Sequence, residues 1–371
     1  CSIQESNGIS QEAIDYFVGD SLDRDEVEYL VDVFRNAKEY GSILKLEKLD
    51  FNKLEIRLEE LYRKEDITNI FNIEYRDVIF EKIPNLIRQG KIISQQYNIV
   101  VTNPPYMAFK GINPNLALYL RKEFNNSKAD LFSVFLERCL QFTEKNNYTA
   151  MITQHSWMFL VSFEKLRYQV LKHETISSLL HLGTRTFEEI GGEVVQSAAF
   201  VIKNSSVSNY KAKYYRLLEH KSTQAKEKSF LNSQNDLFIL SQKTFQEIPN
   251  NPIAYWIKGG MINSFAGPLL TDFAISEGQI LTGNNEKYLR FLWEVNKYNV
   301  TSGEKWVLHA KGGENRKWYG NIEYVVDWSN QAREHYKKDK IARIPPEYLW
   351  FKRGIVWSGT SSVGNFGVRI L

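Results

Sequence analysis

At 371 residues, 43% hydrophobic and 25% charged, the chain is long enough for two domains, each with its own core. The net charge of +3 hides an asymmetry: residues 1–100 carry 13 Lys+Arg against 20 Asp+Glu, and residues 101–371 carry 34 against 24. The composition excludes a disordered chain, and its two cysteines, Cys1 and Cys139, exclude a disulfide framework.

The cysteines lie in no metal-ligand spacing, and no apolar run approaches the ~18 residues of a membrane span. The expectations are therefore no metal, no membrane and a cytoplasmic setting. Opening on Cys1 rather than Met, the chain is read as starting within a longer protein. The basic excess after residue 100 leans towards an anionic partner such as nucleic acid.

Residues 11–40 read as helix, with Val27, Leu30, Val31 and Phe34 at helical spacing and Gly41 as a C-cap. "SILKLEKLDF" (42–51) alternates like a short strand. Residues 52–95 return to helical spacing, with Pro84 starting or breaking a helix. From there the alternation sharpens. "YNIVVTN" (97–103) is a buried strand, and 127–146 is an amphipathic helix with Leu131, Val134, Phe135, Cys139, Leu140 and Phe142 on its apolar side. Residues 148–156 read as strand, 162–173 as helix, 176–183 as strand and 193–203 as a strand forming a terminal hairpin with its neighbour.

This order predicts an α/β fold: a parallel, doubly wound, Rossmann-like sheet with a ligand crevice at its strand C-termini. Composition shifts at "KNSSVSN", and 7 of the 8 tryptophans follow residue 204. The expected domains are therefore 1–204, with a helical insertion over about 52–95, and 205–371.

The buried strand ends abruptly in Asn103-Pro104-Pro105-Tyr106. An exocyclic amino group on an aromatic ring is a poor nucleophile because its lone pair is delocalised. Acceptors for its N–H groups favour the pyramidal nitrogen of a forming bond. The Asn103 side-chain oxygen and the Pro104 carbonyl suit that task. The prolines stiffen the loop so that the acceptors stay aimed. Tyr106 offers a flat face for a flipped base. The bland alternative is an ordinary strand-terminating turn.

Together "NIVVTNPPYM", "SKADLFSVFLERCL", "YTAMITQHSWMF" and "LLHLGTRTF…GGEVVQSAAFVI" resemble the adenine-specific (N6) DNA methyltransferases of the phage-growth-limitation or BREX type. "GQILTGNNEKYLRFLWEV", "KGGENRKWYGNIEYVVDW" and "WSGTSSVGNFGVRIL" extend the likeness into the C-terminal half. The resemblance implies that Asn103, Pro104, Pro105 and Tyr106 act on the adenine amino group. It implies S-adenosyl-L-methionine as cofactor, with Asn103 and Asp130 on the cofactor side. It places Phe187 as a second ring against the base. A core position for Phe187, and a helix N-cap for Asp130, are the structural alternatives.

The family's Gly-rich cofactor turn should precede the NPPY loop. Before it stand only Gly8, Gly19, Gly41 and Gly90, all isolated, and the later "KGGMINSFAG" and "AKGGENRKW" follow no convincing strand. The expectation is a C-terminal portion of a longer methyltransferase that lacks this motif, with weak or no cofactor binding alone.

Residues 205–371 mix cations with aromatics in "ENRKWYGN" and "WFKRGIVWSGTSS", and "LTGNNEKYLRFLWE" (281–294) reads as a turn followed by a helix. Arg290, Arg316, Lys317, Lys352 and Arg353 are the candidate DNA contacts. His155, His181 and His309 are read as structural or polar surface residues.

The expected activity is site-specific adenine-N6 methylation of double-stranded DNA in a restriction-modification or phage-defence system, alongside other defence subunits. The alternative is a non-catalytic DNA-recognition subunit with the same fold. The recognition sequence, the oligomeric state and any associated nuclease are not legible.

Overall fold

The computed structural model describes residues 3–47, 49–63, 70–187, 195–232, 236–313, 316, 318–357 and 367–370. They divide into two compact units, Cys1–Gly267 and Pro268–Leu371. The polar joint near 204 does not separate the units, because two strands beyond it extend the sheet of the first.

The first unit begins with helices α1 (Gln11–Val18), α2 (Arg24–Val33), the short α3 (Ala37–Tyr40), α4 (Phe51–Arg63) and α5 (Ile70–Ser94). Ser10 caps α1 by accepting from the Ala13 N–H, and Asp23 caps α2 by accepting from the Asp25 N–H. Their apolar faces close one core around Phe17, Leu30, Phe34, Leu54 and Ile83. α5 runs through Pro84 rather than starting or breaking there. Buried Ile79, Ile83, Leu86 and Ile87 hold the turns on both sides, so packing offsets the missing backbone donor.

Among the described residues of 42–51, the expected strand is absent. A 3-10 turn, Gly41–Ile43, leads into irregular chain whose N–H groups go to side chains: Lys45 donates to the Tyr119 hydroxyl and Glu47 to that of Tyr29. With no neighbouring strand to pair, the alternation had no ladder to join.

The sheet comprises β1 (Tyr97–Thr102), β2 (Thr143–Gln154), β3 (Thr175–Gly183), β4 (Ser197–Lys203), β5 (Lys211–Arg216) and β6 (Leu237–Ser241), in spatial order β1-β2-β4-β3-β5-β6. The fold is α/β, but the sheet is mixed rather than parallel. Pairs β1–β2 and β3–β5 are parallel, whereas β2–β4, β4–β3 and β5–β6 are antiparallel. The expected β3–β4 hairpin is present.

Between β1 and β2 lie α6 (Pro114–Glu123) and α7 (Leu131–Phe142); α8 (Glu164–His173) precedes β3 and α9 (Thr223–Asn232) precedes β6. Short helices α10 (Lys243–Gln246) and α11 (Gly259–Ser264) follow. α7 begins at Leu131, later than the expected 127, because Asp130 caps it.

One face of the sheet carries Met151, Phe200, Ile202, Ile176 and Leu179, all buried with Phe132 and Leu136 of α7 and Leu166 and Val170 of α8. The opposite face is far more open. There Ile99 and Val101 of β1 are 68% and 70% exposed, and Tyr148 and Ile239 are exposed too. Arg138 of α7 ties the sheet layer to the helical block. Its guanidinium donates to the Leu44 and Ile93 carbonyls at 2.7 and 3.1 Å and lies over the Phe142 ring.

The second unit holds a three-stranded antiparallel sheet in order β7-β9-β8, made of β7 (Leu289–Phe291), β8 (Trp306–His309) and β9 (Tyr324–Asp327). The helix expected over 281–294 is only α12 (Asn285–Tyr288), which turns directly into β7. α13 (Asn330–Lys338) packs Ala332 and Tyr336 against Tyr288, Leu289, Val326 and Trp328. β10 (Ile355–Trp357) and β11 (Val368–Ile370) form an antiparallel pair.

Candidate active site

The NPPY loop leaves the C-terminal end of β1, where Thr102 lies opposite Met151 of β2. Pro104 is buried and anchors the loop, while Asn103 and Pro105 are exposed. Tyr106 is half-buried, its ring edge-on to Phe132 at 6.1 Å. Its hydroxyl donates towards the Asn103 Oδ1 at 3.3 Å and lies 3.5 Å from the Ile152 carbonyl. Burial raises the Tyr106 phenol above its ordinary range, so it stays a protonated donor.

The loop is fastened from beyond. Asp130, 7% exposed, accepts through Oδ1 from the N–H groups of Met107 at 3.0 Å and Phe132 at 3.3 Å. Two backbone bonds run beside it, from Leu131 N–H to the Met107 carbonyl and from Phe109 N–H to the Ala129 carbonyl. Burial raises the Asp130 carboxyl above its ordinary value, and these backbone donors oppose the rise. Asp130 thus caps α7 and holds the residue after Tyr106 in place. The sequence signal was an acid just before an apolar helix; the strap to Met107, formed by residues 23 apart in the chain, carried none.

Chemically, Asn103 presents its amide oxygen at the end of a rigid strand. Among the described residues, the Pro104 carbonyl accepts no hydrogen bond. An amide oxygen and an unbonded carbonyl on adjacent residues are the kind of acceptors an amino group calls for, with Tyr106 two residues on.

Phe187 is half-buried in the irregular segment after β3, and residues 188–194 lie outside the described residues. Lys226 donates to the Thr184 carbonyl within the same segment.

The glycines before β1 have structural roles. Gly19 and Gly41 end α1 and α3 at positive φ, and Gly90 lies inside α5 where a Cβ would come within 2.7 Å of the Phe51 ring. No strand precedes β1 among the described residues, so no strand–glycine-turn–helix cradle stands before the loop. The described residues therefore do not fit S-adenosylmethionine as a nucleotide-type cradle would.

In the second unit, Arg290 donates to the Glu286 and Leu289 carbonyls, both at 2.6 Å, so its guanidinium braces the α12–β7 turn. Arg316, Lys352 and Arg353 are exposed, near in sequence to exposed Trp318, Tyr319 and Phe351. Lys317 lies outside the described residues. No group of three or more His, Cys, Asp or Glu side chains among the described residues is placed to hold a metal ion. No described helix is long and apolar enough to cross a membrane.

Two of the histidines meet. His155, which follows β2, and buried His181 of β3 are linked ring to ring at 2.7 Å, and His181 is linked to the Tyr255 hydroxyl at 3.0 Å. Nothing in their sequence spacing announced this chain of contacts.

The family described as the Eco57I restriction-modification methylase matches residues 26–187, which include the NPPY loop. The adenine-specific methyltransferase BrxX of Escherichia coli O9:H4 (strain HS) is 37% identical over 344 residues, 91% of this chain and 28% of that protein. The adenine-specific methyltransferase PglX of Lacticaseibacillus casei (strain Zhang) is 35% identical over 375 residues, 95% of this chain and 31% of that protein. Among solved structures, a DrdV–DNA complex matches 50% of this chain and 20% of its own, at 14% identity and a TM-score of 0.37. The chain thus spans under a third of the length of the two curated relatives, 28% and 31%. Along almost all of its own length, the chain is similar to part of two adenine-specific methyltransferases, BrxX and PglX.

Proposed function

We propose that this chain carries the base-binding and amine-activating portion of a DNA adenine-N6 methyltransferase that serves phage defence. The observation that carries the reading is the NPPY loop. The Asn103 oxygen and the unbonded Pro104 carbonyl are available at a strand end, beside a Tyr106 ring fixed by Phe132 and by its own hydroxyl. Such a loop accepts from both N–H groups of the adenine amine, so the nitrogen lone pair is freed from the ring as a bond to carbon forms. The kinship with BrxX and PglX supports adenine as the base.

S-adenosylmethionine is the methyl donor implied by the family resemblance. The absence of a fitting cradle among the described residues favours a donor site built largely by other polypeptide. The second unit supplies duplex contacts through Arg316, Lys317, Lys352 and Arg353, with the exposed aromatics Trp318, Tyr319 and Phe351 near them in sequence. Arg290 serves that unit by bracing a turn.

Calorimetry with duplex DNA and S-adenosylmethionine, separately and together, tests this division. The expected result is DNA binding and no measurable binding of the cofactor to the chain alone. Absence of DNA binding would overturn the assignment of the second unit. Tight cofactor binding without other polypeptide would overturn the division of labour and favour independent catalysis.

A further inference from the structure

The His155–His181–Tyr255 chain lies at the same strand-end rim as the NPPY loop. The Tyr106 hydroxyl approaches the carbonyl of Ile152 on β2, three residues before His155, which follows that strand. His155 also meets the chain just before β4, where its N–H donates to the Gln196 carbonyl at 2.8 Å.

The direction of the chain follows from its buried end. Tyr255 is 2% exposed, and burial drives its phenol far above the ordinary range, so it keeps its proton. Among the described residues its hydroxyl has one partner, the His181 Nδ1. A buried O–H needs an acceptor, so Tyr255 donates and His181 Nδ1 accepts. In a neutral imidazole the other nitrogen then carries the hydrogen. His181 Nε2–H therefore donates to His155 Nδ1, and His155 carries its own hydrogen on Nε2. Both rings stay neutral, because burial holds His155 below its ordinary pKa and His181 at about 3. His155 is half-buried, and its Nε2–H has no partner among the described residues.

The surroundings are flat and apolar with one cation. Phe159 stands edge-on to His155 at 5.6 Å and to Trp256 at 5.5 Å. Trp256 is 37% exposed, and the Arg216 guanidinium lies 5.9 Å from its ring centroid. Arg216 Nη1 pairs with Glu219, but its buried Nε has no hydrogen-bond partner. A fixed neutral donor beside partly exposed aromatic rings suits an aromatic heterocycle with a ring-nitrogen acceptor better than an anion, which would call for a charged first contact.

We infer that His155 is a specificity-determining residue that donates its Nε2–H to a ring nitrogen of the purine base held at this rim, with Phe159 and Trp256 flanking the base. The inference rests on the reading of the NPPY loop as an adenine site, but it concerns a different edge of the base from the 6-amino group. His181 and Tyr255 are positioning residues, since they set the His155 tautomer without meeting the base.

The test is NMR titration of the chain with dAMP and its 1-deaza, 3-deaza and 7-deaza analogues, each replacing one ring nitrogen by C–H. For the wild type, one analogue binds roughly 3- to 10-fold more weakly than dAMP, the span of one neutral hydrogen bond. His155→Ala weakens dAMP by a similar factor and removes the discrimination against that analogue. His155→Gln, whose amide can donate from a like position, retains most of it. Equal wild-type affinity for dAMP and all three analogues overturns the inference, and so does no detectable dAMP binding. Uniform weakening of every ligand by His155→Ala, with discrimination kept, also overturns it by making His155 structural. If His155→Ala fails to fold, the wild-type series and His155→Gln still decide. Purine deoxynucleoside monophosphate, which lacks the 6-amino group, separates the two readings. If it binds as dAMP does while the His155 pattern holds, the NPPY reading fails and the His155 assignment stands.

Discussion

The carboxylate of Asp130 accepts the backbone N–H of Met107 at 3.0 Å, fastening the NPPY loop to the N-terminus of α7. The same oxygen also caps the helix through Phe132. Asp130→Ala removes the acceptor of both bonds from a buried place, and the expected loss is about 1–3 kcal/mol of stability together with a mobile loop. Asp130→Asn keeps an acceptor oxygen and should lose less than half of that. Urea unfolding and amide exchange at Met107 measure the two effects. Equal losses in both variants would mean that charge, not the strap, is what matters.

The His181 imidazole stays neutral to about pH 3, because burial and the neighbouring His155 and Arg216 oppose its charge. In the unfolded chain it titrates near its ordinary 6.5, so between these values the unfolded state binds more protons. Its contribution to stability is whole above about pH 6.5 and falls as pH drops towards about 3. Nitrogen-15 spectra of the imidazoles at about pH 5 should show His181 neutral, with its hydrogen on Nε2. A cationic His181 at that pH would contradict the assigned tautomers.

Glu174 closes α8 with one carboxyl oxygen buried and unbonded, and burial raises its pKa from 4.5 to about 7. The folded state therefore keeps a proton that the unfolded chain releases. Its contribution is present below about pH 4.5 and is lost as pH rises through about 7. Glu174→Gln should flatten this slope in denaturant melts between about pH 5 and 8. An unchanged slope in the variant would assign the effect to another group.

The two faces of the sheet should respond differently to substitution. Phe200, 2% exposed, lies in the covered core, and Phe200→Ala should cost about 3–5 kcal/mol. Val101, 70% exposed on the open face, should tolerate Val101→Lys within about 0.5 kcal/mol in this chain. Thermal unfolding of both variants checks the contrast. A severe loss from Val101→Lys would mean that the open face is covered in solution.

If Arg353 contacts a phosphate, Arg353→Gln should weaken DNA binding alike for all sequences and lower the salt slope by about 1. Salt titrations of anisotropy with two unrelated duplexes measure this. An unchanged slope removes Arg353 from the interface.

Much of the first unit is legible in the sequence because its patterns are local. The strand at 97–102, the apolar stripe of α7 and the β3–β4 hairpin follow from local pattern, but the expected burial of that strand does not hold, since Ile99 and Val101 lie on the open face of the sheet. The failures are places where a distant partner decides. Residues 42–51 alternate like a strand, yet their N–H groups were claimed by tyrosines on α2 and α6. Pro84 should have broken α5, but four buried neighbours held the helix. The strand at 289–291 hides behind helical spacing, because its pairing with Tyr324–Val326 is set far along the chain. The NPPY residues announce themselves as a contiguous motif. The His155–His181–Tyr255 chain does not, because it exists only once the sheet brings three separate segments together.

The central claim is that Asn103 and the Pro104 carbonyl receive an adenine amino group. The most direct measurement compares dAMP with purine deoxynucleoside monophosphate, which lacks that group, on the wild-type chain and on Asn103→Ala. The account predicts a wild-type preference for dAMP of roughly 3- to 10-fold, largely lost in Asn103→Ala while the folded spectrum is kept. Equal binding of the two nucleotides by the wild type, or a preference that survives Asn103→Ala, would contradict it.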